Sequence, residues 1–296
     1  MGVLLGMRVA VTGATGMLGT DLLNTLGRNF EVVPFPPRSQ LDLCDFALVN
    51  SFVRSVKPDV IVHTAAVRDV DRVERDPELA WKVNCVGTYN VAVAARELGC
   101  TVCYISSDYV FNGEKDKPYH EFDLPSPVNV YGRSKVAAEK IVREHLERYF
   151  ILRVPLLFGR YGRPENNLLL RLFARVREGQ HVLAASDQWS SACDSADIAE
   201  AVGTIVATRY WGLYHLAGPG SVSRAGLLRA ALSMAGKDPG YVREIASADM
   251  GRPAARPRYT VLRSLLVDSV FGLTLPAWEE SLERRIAELR KDGLIE

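Results

Sequence analysis

The sequence predicts an α/β fold in which helices cover both faces of a doubly wound parallel sheet, followed by a smaller lobe. Through the first half of the 296-residue chain, short apolar, β-branched runs alternate with stretches of helical periodicity. The first apolar run ends in a glycine-rich turn, and after residue 155 the regular alternation stops. These observations predict a Rossmann-type dinucleotide-binding domain and a smaller C-terminal substrate lobe. The first is assigned to 1–155 with a returning segment near 188–216, and the second to 156–187 and 217–296.

The glycine-rich turn follows Val9 and Val11 and contains Gly13, Gly16 and Gly19. Strand, tight turn and helix are predicted in that order, because helical periodicity begins directly after the second glycine. Gly13 lets the chain turn, Gly16 lets the backbone approach a pyrophosphate, and Gly19 lets the helix lie close to the strand. The free N–H groups at the helix N-terminus then attract phosphate. A glycine turn without a ligand is the alternative.

The remaining elements are predicted from periodicity and from proline and glycine breaks. In the first half, strands are predicted at 30–34, 60–66, 100–106 and 151–154, and helices at 45–56 and 77–98. In the second half, helices are predicted at 166–178, 224–235 and 278–289, and short strands at 182–183 and 214–216. Within the helix at 77–98, Trp81, Val83, Val86 and Val91 are expected to face the core.

Composition and charge argue against several classes of function. Lys+Arg of 36 against Asp+Glu of 35, without a dense basic run, predicts no nucleic-acid partner. No apolar run reaches membrane-spanning length, and residues 1–6 lead into the first strand without a basic segment, so no secretory signal is predicted. The five cysteines favour a reduced, cytoplasmic protein. Cys100 and Cys103, three apart on a predicted strand, point to opposite faces, so no metal site is predicted.

The strongest catalytic candidates are Tyr131 and Lys135, four apart on one face of a predicted helix. The ammonium of Lys135 is expected to favour the phenolate of Tyr131 and to lower its pKa, so that the phenol exchanges a proton at neutral pH. Ser107, at the end of a predicted strand, supplies a hydroxyl that can hydrogen-bond the same carbonyl oxygen. This chemistry protonates an alkoxide as hydride reaches a ketone. Alternatively, Tyr131 and Lys135 are two side chains at the surface of a helix without a catalytic role.

Segments at 12–19, 63–66, 83–84, 105–113 and 127–135 together resemble the extended short-chain dehydrogenase/reductases. The closest likeness is to the dTDP-4-dehydrorhamnose reductases, because of Asp-Tyr-Val-Phe-Asn-Gly at 108–113 and Asn-Val-Tyr-Gly at 129–132. The resemblance is dense to about residue 153 and weaker beyond. It implies NAD(P)H-dependent reduction of the C4 ketone of a 4-keto-6-deoxy-sugar nucleotide, foremost dTDP-4-dehydrorhamnose to dTDP-rhamnose.

The resemblance also implies a role for each matching residue. Tyr131 is the general acid, Lys135 holds the nicotinamide ribose, and Ser107 polarises the sugar ketone. The implied cofactor-binding residues are Gly13, Thr15, Gly16, Met17, Leu18, Gly19, Arg38, Ser39, Asp42, Leu43, Ala65, Ala66, Asn84, Tyr131 and Lys135. The implied substrate-binding residues are Val67, Ser107, Asp108, Tyr109, Asn167 and Arg256. Simpler roles stay open for three of them, since Asp42 and Asn167 could be helix caps and Asn84 a buried amide that supports the active-site helix.

The choice of cofactor depends on the residues after the second strand. A carboxylate there would bind the ribose 2′-hydroxyl of NAD, but this chain has Arg38 and Ser39 after two prolines. A guanidinium suits the 2′-phosphate of NADP. The sequence therefore favours NADP(H), with NAD(H) as the alternative.

Departures from the family pattern leave other functions open. Leu156 stands where many of these reductases have a tryptophan expected to pack on the sugar, and the later Asp187-Gln188 motif lacks its Pro-Thr. The chain is also similar to the regulatory β subunit of methionine adenosyltransferase, which implies an NADP-binding regulatory subunit as one alternative. Another sugar-nucleotide reductase or epimerase is a further one. The main interpretation expects a nucleotide-sugar substrate, and a homodimer is one assembly it allows.

Overall fold

The computed structural model describes residues 6–295, so the prediction for residues 1–6 lies almost wholly outside the described part of the chain. The strands are Arg8–Thr12 (β1), Glu31–Pro34 (β2), Val60–His63 (β3), Thr101–Ser107 (β4), Tyr149–Val154 (β5), Leu156–Phe158 (β6), Val182–Ala185 (β7), Trp189–Ser190 (β8), Ala192–Asp194 (β9), Gly212–His215 (β10), Val222–Ser223 (β11), Val242–Ile245 (β12) and Tyr259–Thr260 (β13). The α-helices are Met17–Leu26 (α1), Phe46–Val56 (α2), Val70–Arg75 (α3), Pro77–Ala80 (α4), Gly87–Leu98 (α5), Val130–His145 (α6), Leu168–Arg177 (α7), Ser195–Val206 (α8), Arg224–Met234 (α9), Val267–Phe271 (α10) and Trp278–Lys291 (α11). A π-helical segment, Trp81–Val86, joins α4 to α5.

The central sheet has the strand order β10-β5-β4-β3-β1-β2, and all neighbouring strands in it are parallel. The chain runs from β1 outward to β2 and then crosses back to β3 on the other side of β1. The strand order therefore reverses between β1 and β3, where Thr12 lies opposite His63. In doubly wound sheets a crevice forms at the carboxyl ends of the strands at such a point. The predicted doubly wound parallel sheet is confirmed.

Helices cover both faces of this sheet and bury its apolar side chains. On one face, α1 packs against α8, and Leu22 and Val202 belong to the same apolar core. On the other face, α2, α5 and α6 bury a second core that includes Val91. Cys103 lies in the first core and Cys100 in the second, so the two thiols face opposite sides of the sheet, as the spacing predicts.

The π-helical segment changes which residues of 77–98 face the core. Val91 is buried and Val83 is half-buried, but Trp81 and Val86 are 40% and 45% exposed. The expectation that Trp81 and Val86 face the core is therefore wrong. The i→i+5 hydrogen bonds of a π-helix place more residues in each turn than an α-helix does, so a stripe extended at the α-helical period leaves the buried face. The same segment buries Asn84.

The C-terminal half builds small sheets and an apolar core of its own. β11, β8 and β13 form a three-stranded sheet, and β6 pairs with β9 and β7 with β12. The core includes Leu172 of α7, Leu228 of α9 and Leu282 of α11. Within 188–216, however, α8 packs on α1 and β10 joins the central sheet. The division of the chain into two domains stays a prediction.

Across residues 6–295, none of the helices is both long and apolar enough to cross a membrane. The same residues contain no group of His, Cys, Asp and Glu side chains that could hold a metal ion. The cysteines at 44, 85, 100, 103 and 193 are free thiols.

Candidate active site

A cavity of about 590 Å³ opens where β1, β3 and β4 end, at the edge of the sheet where the strand order reverses. Most of the residues selected from the sequence line it. These are Gly13, Thr15, Gly16, Met17, Leu18, Gly19, Arg38, Asp42, Leu43, Ala65, Ala66, Val67, Ser107, Asp108, Tyr109, Tyr131 and Lys135. The fold thus brings the glycine turn and the three catalytic candidates into one space.

The glycine turn has the geometry of a phosphate-binding site. Gly13 has a φ of +65°, a left-handed conformation that L side chains rarely adopt. A Cβ at Gly19 would clash with the carbonyl oxygen of Gly13, so a glycine here lets α1 begin close to β1. No side chain caps the N-terminus of α1, and its first residues line the cavity. The uncapped N–H groups and the positive end of the helix dipole suit an anion.

The end of the cavity beside β2 carries an ion pair. Arg38 is largely exposed, and its guanidinium lies 3.4 Å from the Asp42 carboxylate. A backbone hydrogen bond from Cys44 and the charge of Arg38 hold the pKa of Asp42 below its ordinary value. Asp42 does not cap α2, since the N-cap is Asp45. Ser39 is exposed and does not line the cavity.

Lys135 is buried on the face of α6 that also carries Tyr131. Its Nζ donates a 2.7 Å hydrogen bond to the carbonyl of Ile105 and lies 4.2 Å from the centre of the Tyr104 ring. Burial lowers the pKa of Lys135 to about 7, while the carboxylate of Glu139, one turn further along α6, acts to raise it. Lys135 therefore titrates near neutral pH.

The pKa of Tyr131 differs from the sequence expectation. Burial raises it to about 12, although a hydrogen bond with Ser107 acts in the opposite direction. The expected lowering by Lys135 is not found in the protein alone, because its ammonium group donates to Ile105 and burial brings its own pKa down to about 7. Tyr131 is thus a protonated phenol at neutral pH, which is the form that a proton donor needs.

Ser107 ends β4 next to a buried carboxyl group. Its Oγ donates to Oδ1 of Asp108 at 3.0 Å and accepts a hydrogen bond from the N–H of Tyr109 at 3.2 Å. Oδ2 of Asp108 accepts a 2.6 Å hydrogen bond from Thr260 in β13. Burial raises the pKa of Asp108 to about 6. A residue of the C-terminal half thus fixes a side chain beside the catalytic candidates.

Asn84 supports the cavity from behind rather than lining it. Its Oδ1 accepts from the N–H of Val67 at 2.8 Å, and its Nδ2 donates to the carbonyl of Val67 and to Oγ of Ser134. The hydroxyl of Ser134 in turn donates to the carbonyl of Tyr131 at 2.7 Å. These bonds use both N–H groups of the amide and one of the two acceptor positions of its oxygen. Asn84 thus joins the loop after β3 to α6, and its contact with the cofactor stays a prediction.

A buried ion pair lies beneath the catalytic candidates. Arg153 of β5 binds Glu139 of α6 at two points, Nε to Oε1 at 2.9 Å and Nη2 to Oε2 at 2.8 Å. Oε1 of Glu139 also accepts a 2.6 Å hydrogen bond from Ser106 in β4. A planar two-point pair fixes orientation as well as distance. The pair thus ties the helix of Tyr131 to the end of the strand that carries Ser107.

Two residues assigned to the substrate have other partners and do not line this cavity. Asn167 is 1% exposed and caps α7 through its Oδ1, while its Nδ2 donates to two carbonyls of the preceding loop. Arg256 forms a two-point ion pair with Asp71 of α3, with Nη2 at 2.7 Å from Oδ2. For Asn167 the helix cap accounts for the bonds that Oδ1 accepts, and the loop carbonyls account for those that Nδ2 donates.

The sequence analysis did not assign several of the cavity residues to the site. They are Arg68, Gln188, Trp189, Ser190, Arg224, Pro257 and Thr260. Most of them come from the three-stranded sheet of β11, β8 and β13 or from residues next to it. The only sequence signal near them was the partial match at Asp187-Gln188 and Arg256-Pro257. Arg224 had no signal, because it opens an otherwise ordinary amphipathic helix.

Known proteins share both the sequence and this architecture. Residues 7–291 match the family described as the RmlD substrate binding domain. A dTDP-4-dehydrorhamnose reductase of Sinorhizobium fredii is 35% identical over 297 residues, covering 97% of this chain and 99% of that protein. A dTDP-4-keto-6-deoxy-D-glucose reductase of Streptomyces niveus is 34% identical, covering 86% and 88%.

A solved structure agrees with these sequence matches. The crystal structure of dTDP-4-dehydrorhamnose reductase from Bacillus anthracis in complex with NADP has a TM-score of 0.90 and 35% identity to this chain. The match covers 96% of this chain and 99% of that one. The resemblance inferred from the motifs is confirmed, and the chain belongs to the RmlD substrate binding domain family.

Proposed function

We propose that the chain is an NADPH-dependent reductase that converts the C4 ketone of a 4-keto-6-deoxy-sugar nucleotide to an alcohol. dTDP-4-dehydrorhamnose is the substrate and dTDP-rhamnose the product. The observation that carries this proposal is that Ser107, Tyr131 and Lys135 line the same cavity as the glycine turn. The names of the relatives from Sinorhizobium fredii and Bacillus anthracis support the same reaction.

The cavity fits NADP(H). The turn at Gly13 and Gly19 and the uncapped start of α1 suit the pyrophosphate, since a Cβ at Gly19 would displace the turn. Arg38 suits the 2′-phosphate, and Ala65 and Ala66 suit the ribose beside the nicotinamide. The Bacillus anthracis relative was crystallised with NADP. Bound NADPH supplies the hydride for the reduction, and NAD(H) is the alternative cofactor.

The protein's own residues supply the proton and stabilise the phenolate that remains after its transfer. Ser107 hydrogen-bonds the ketone oxygen after rotation of its hydroxyl away from Asp108. Tyr131 transfers its phenolic proton to this oxygen as it becomes an alkoxide, which is a stronger base than a phenolate, so the transfer is downhill despite the raised pKa of Tyr131. The phenolate that remains is stabilised by protonated Lys135 until it regains a proton. Glu139 favours the protonated form of Lys135.

The substrate side is assigned to residues that line the cavity near Tyr131. Val67, Asp108 and Tyr109 are proposed to contact the sugar, and the ring of Tyr109 lies 6.0 Å from that of Tyr131, centre to centre. We propose that residues 1–155, with the returning segment near 188–216, form the cofactor domain, and that 156–187 and 217–296 form the substrate lobe. The cytoplasmic location and the homodimer stay predictions from the sequence.

The test is the fall in reduced-nicotinamide absorbance when the protein meets dTDP-4-dehydrorhamnose made in situ. Tyr131→Phe is expected to lower kcat by at least about 100-fold, because general acid catalysis contributes about that much or more. Its affinity for NADPH is expected to stay the same. Tyr89→Phe is the matched control, since Tyr89 is an exposed phenol on α5 that does not line the cavity, and this variant is expected to keep its turnover.

Two results would count against the proposal. Retained turnover in Tyr131→Phe would remove Tyr131 from the reaction. Tight NADPH binding without turnover, together with a catalytic partner that co-purifies in equal amount, would favour the NADP-binding regulatory subunit instead.

A further inference from the structure

We infer that Arg224 binds the diphosphate of the nucleotide-linked sugar. The inference rests on the proposed function for the nature of the sugar nucleotide. It is carried by an arginine that lines the cavity and forms no ion pair with any residue in 6–295.

The position of Arg224 is set by the small C-terminal sheet. Arg224 is the first residue of α9, and the N-cap before it is Ser223 of β11. β11 pairs with β8, so Arg224 is held next to Trp189 and Ser190, which line the same cavity. Its backbone N–H donates to the carbonyl of Gln188 at 3.3 Å. The side chain therefore starts from a fixed point on the cavity wall.

The guanidinium of Arg224 has no ion pair and no hydrogen bond with any side chain or carbonyl in residues 6–295. Asp108, whose charge acts to raise the pKa of Arg224, already accepts hydrogen bonds from Ser107 and Thr260. Burial lowers the pKa of Arg224, and the positive charges of Arg171 and Arg256 lower it further. The side chain is only half-buried and lines the cavity, so its guanidinium is open to an anionic ligand there.

Other buried arginines of the protein show the contrast. Arg153 is paired at two points with Glu139, Arg285 with Asp194, and Arg256 with Asp71. Each guanidinium is neutralised by a carboxylate within the fold. Within residues 6–295 no carboxylate pairs with Arg224, so its N–H groups are free to bind a ligand in the cavity.

The chemistry of the ligand follows from the site. A guanidinium binds phosphate oxygens at two points, and Arg252 lies in the same electrostatic field without an ion pair in the described chain. The cofactor pyrophosphate is assigned to the glycine turn, so this second anion site is left for the substrate. A sugar nucleotide has a diphosphate between its nucleoside and its sugar. The site therefore selects for diphosphate-linked sugars over free sugars.

The experiment measures the binding of thymidine 5′-diphosphate, its monophosphate and thymidine by calorimetry, with the protein saturated with NADP⁺. Arg224→Met is expected to weaken diphosphate binding by about tenfold or more, because charge-assisted hydrogen bonds are lost. Thymidine binding and NADP⁺ binding are expected to be unchanged. Arg229→Met is the matched control, since Arg229 lies on the same helix and pairs with Glu244 at the surface. In turnover, Arg224→Met is expected to raise KM and to leave kcat nearly unchanged.

Several outcomes decide the inference. Equal diphosphate affinity in Arg224→Met and the unaltered protein would overturn it, and so would an equal loss of thymidine or NADP⁺ affinity. Lost diphosphate affinity alone would support it. If the protein binds the diphosphate through Arg224 but reduces no keto sugar, the proposed function fails and the inference stands.

Discussion

The two halves of the cavity are built in different ways. The half beside β1 and β2 is formed largely by backbone: the turn at Gly13, the close start of α1 at Gly19, and the small residues Ala65 and Ala66 after β3. Its charged groups, such as Arg38, lie at the exposed edge. The other half is formed by side chains such as Arg224 that come from segments far apart in the chain.

The difference shows what each half can recognise. A backbone turn and a helix N-terminus offer N–H groups to phosphate whatever the surrounding side chains are, so one short motif suffices. Side chains on several segments instead recognise one particular ligand, and each depends on the packing that places it. The buried pair of Glu139 and Arg153 lies where the two halves meet, because it supports the strand and helix that carry the catalytic candidates.

The largest expected effect comes from breaking this junction. Glu139→Gln leaves Arg153 buried without its carboxylate, which we expect to lower the free energy of unfolding by about 3 kcal/mol. Both halves should weaken together, since α6, β4 and β5 share the pair. Denaturant unfolding measures the loss. Lys140→Gln is the control, because Lys140 pairs only with Glu144 at the surface of the same helix.

The same variant also tests the electrostatic role of Glu139. Its carboxylate acts to raise the pKa of Lys135, which burial holds at about 7. Removal of that charge lowers the pKa of Lys135, so the alkaline limb of the rate profile should move to lower pH. If the alkaline limb is unchanged in Glu139→Gln under conditions where the variant is fully folded, this role is contradicted.

The next prediction tests whether the two halves of the cavity bind their ligands independently. Gly19→Ala forces a Cβ against the carbonyl of Gly13 and moves the start of α1. Overpacking of this kind costs about 1–3 kcal/mol, so we expect NADPH affinity to fall by about 10- to 100-fold. Binding of thymidine 5′-diphosphate should stay the same. A joint loss of both affinities would show that the halves are not independent.

The matched control for Gly19→Ala is Gly203→Ala on α8, a helix that also packs against α1. There a Cβ would meet only the flexible end of Leu26, at 3.2 Å. We expect NADPH affinity to be nearly unchanged in this variant, as measured by nucleotide fluorescence.

The smallest effect sharpens the description of the cofactor half. Arg38→Ala removes the proposed partner of the 2′-phosphate, and we expect about a tenfold loss in NADPH affinity, the cost of a charge-assisted contact. NADH affinity should be unchanged. Fluorescence titration with both cofactors measures the ratio, and a clear preference for NADH in the unaltered protein would contradict the assignment.

Local sequence patterns predicted most of the fold and much of the cavity. Alternation of strand and helix signals predicted the parallel sheet. The predicted bounds of β1 to β5 lie within a few residues of the observed ones. The motif residues at 12–19, 105–109 and 131–135 line one cavity, since parallel strands end at the same edge. The π-helical segment was missed, because its hydrogen bonding leaves no local signature in the residues, and Trp81 and Val86 were placed on the wrong face.

The sequence by itself determined the glycine turn, the spacing of Tyr131 and Lys135 and the succession of strands and helices along the chain, because each depends on neighbours close in the chain. Only the tertiary structure decided the state of Tyr131 and Lys135, since burial sets both pKa values. It also gave Arg256 its carboxylate partner and, within residues 6–295, left Arg224 without one. Charge pairing between distant segments depends on how they pack, which a pattern along one chain does not contain.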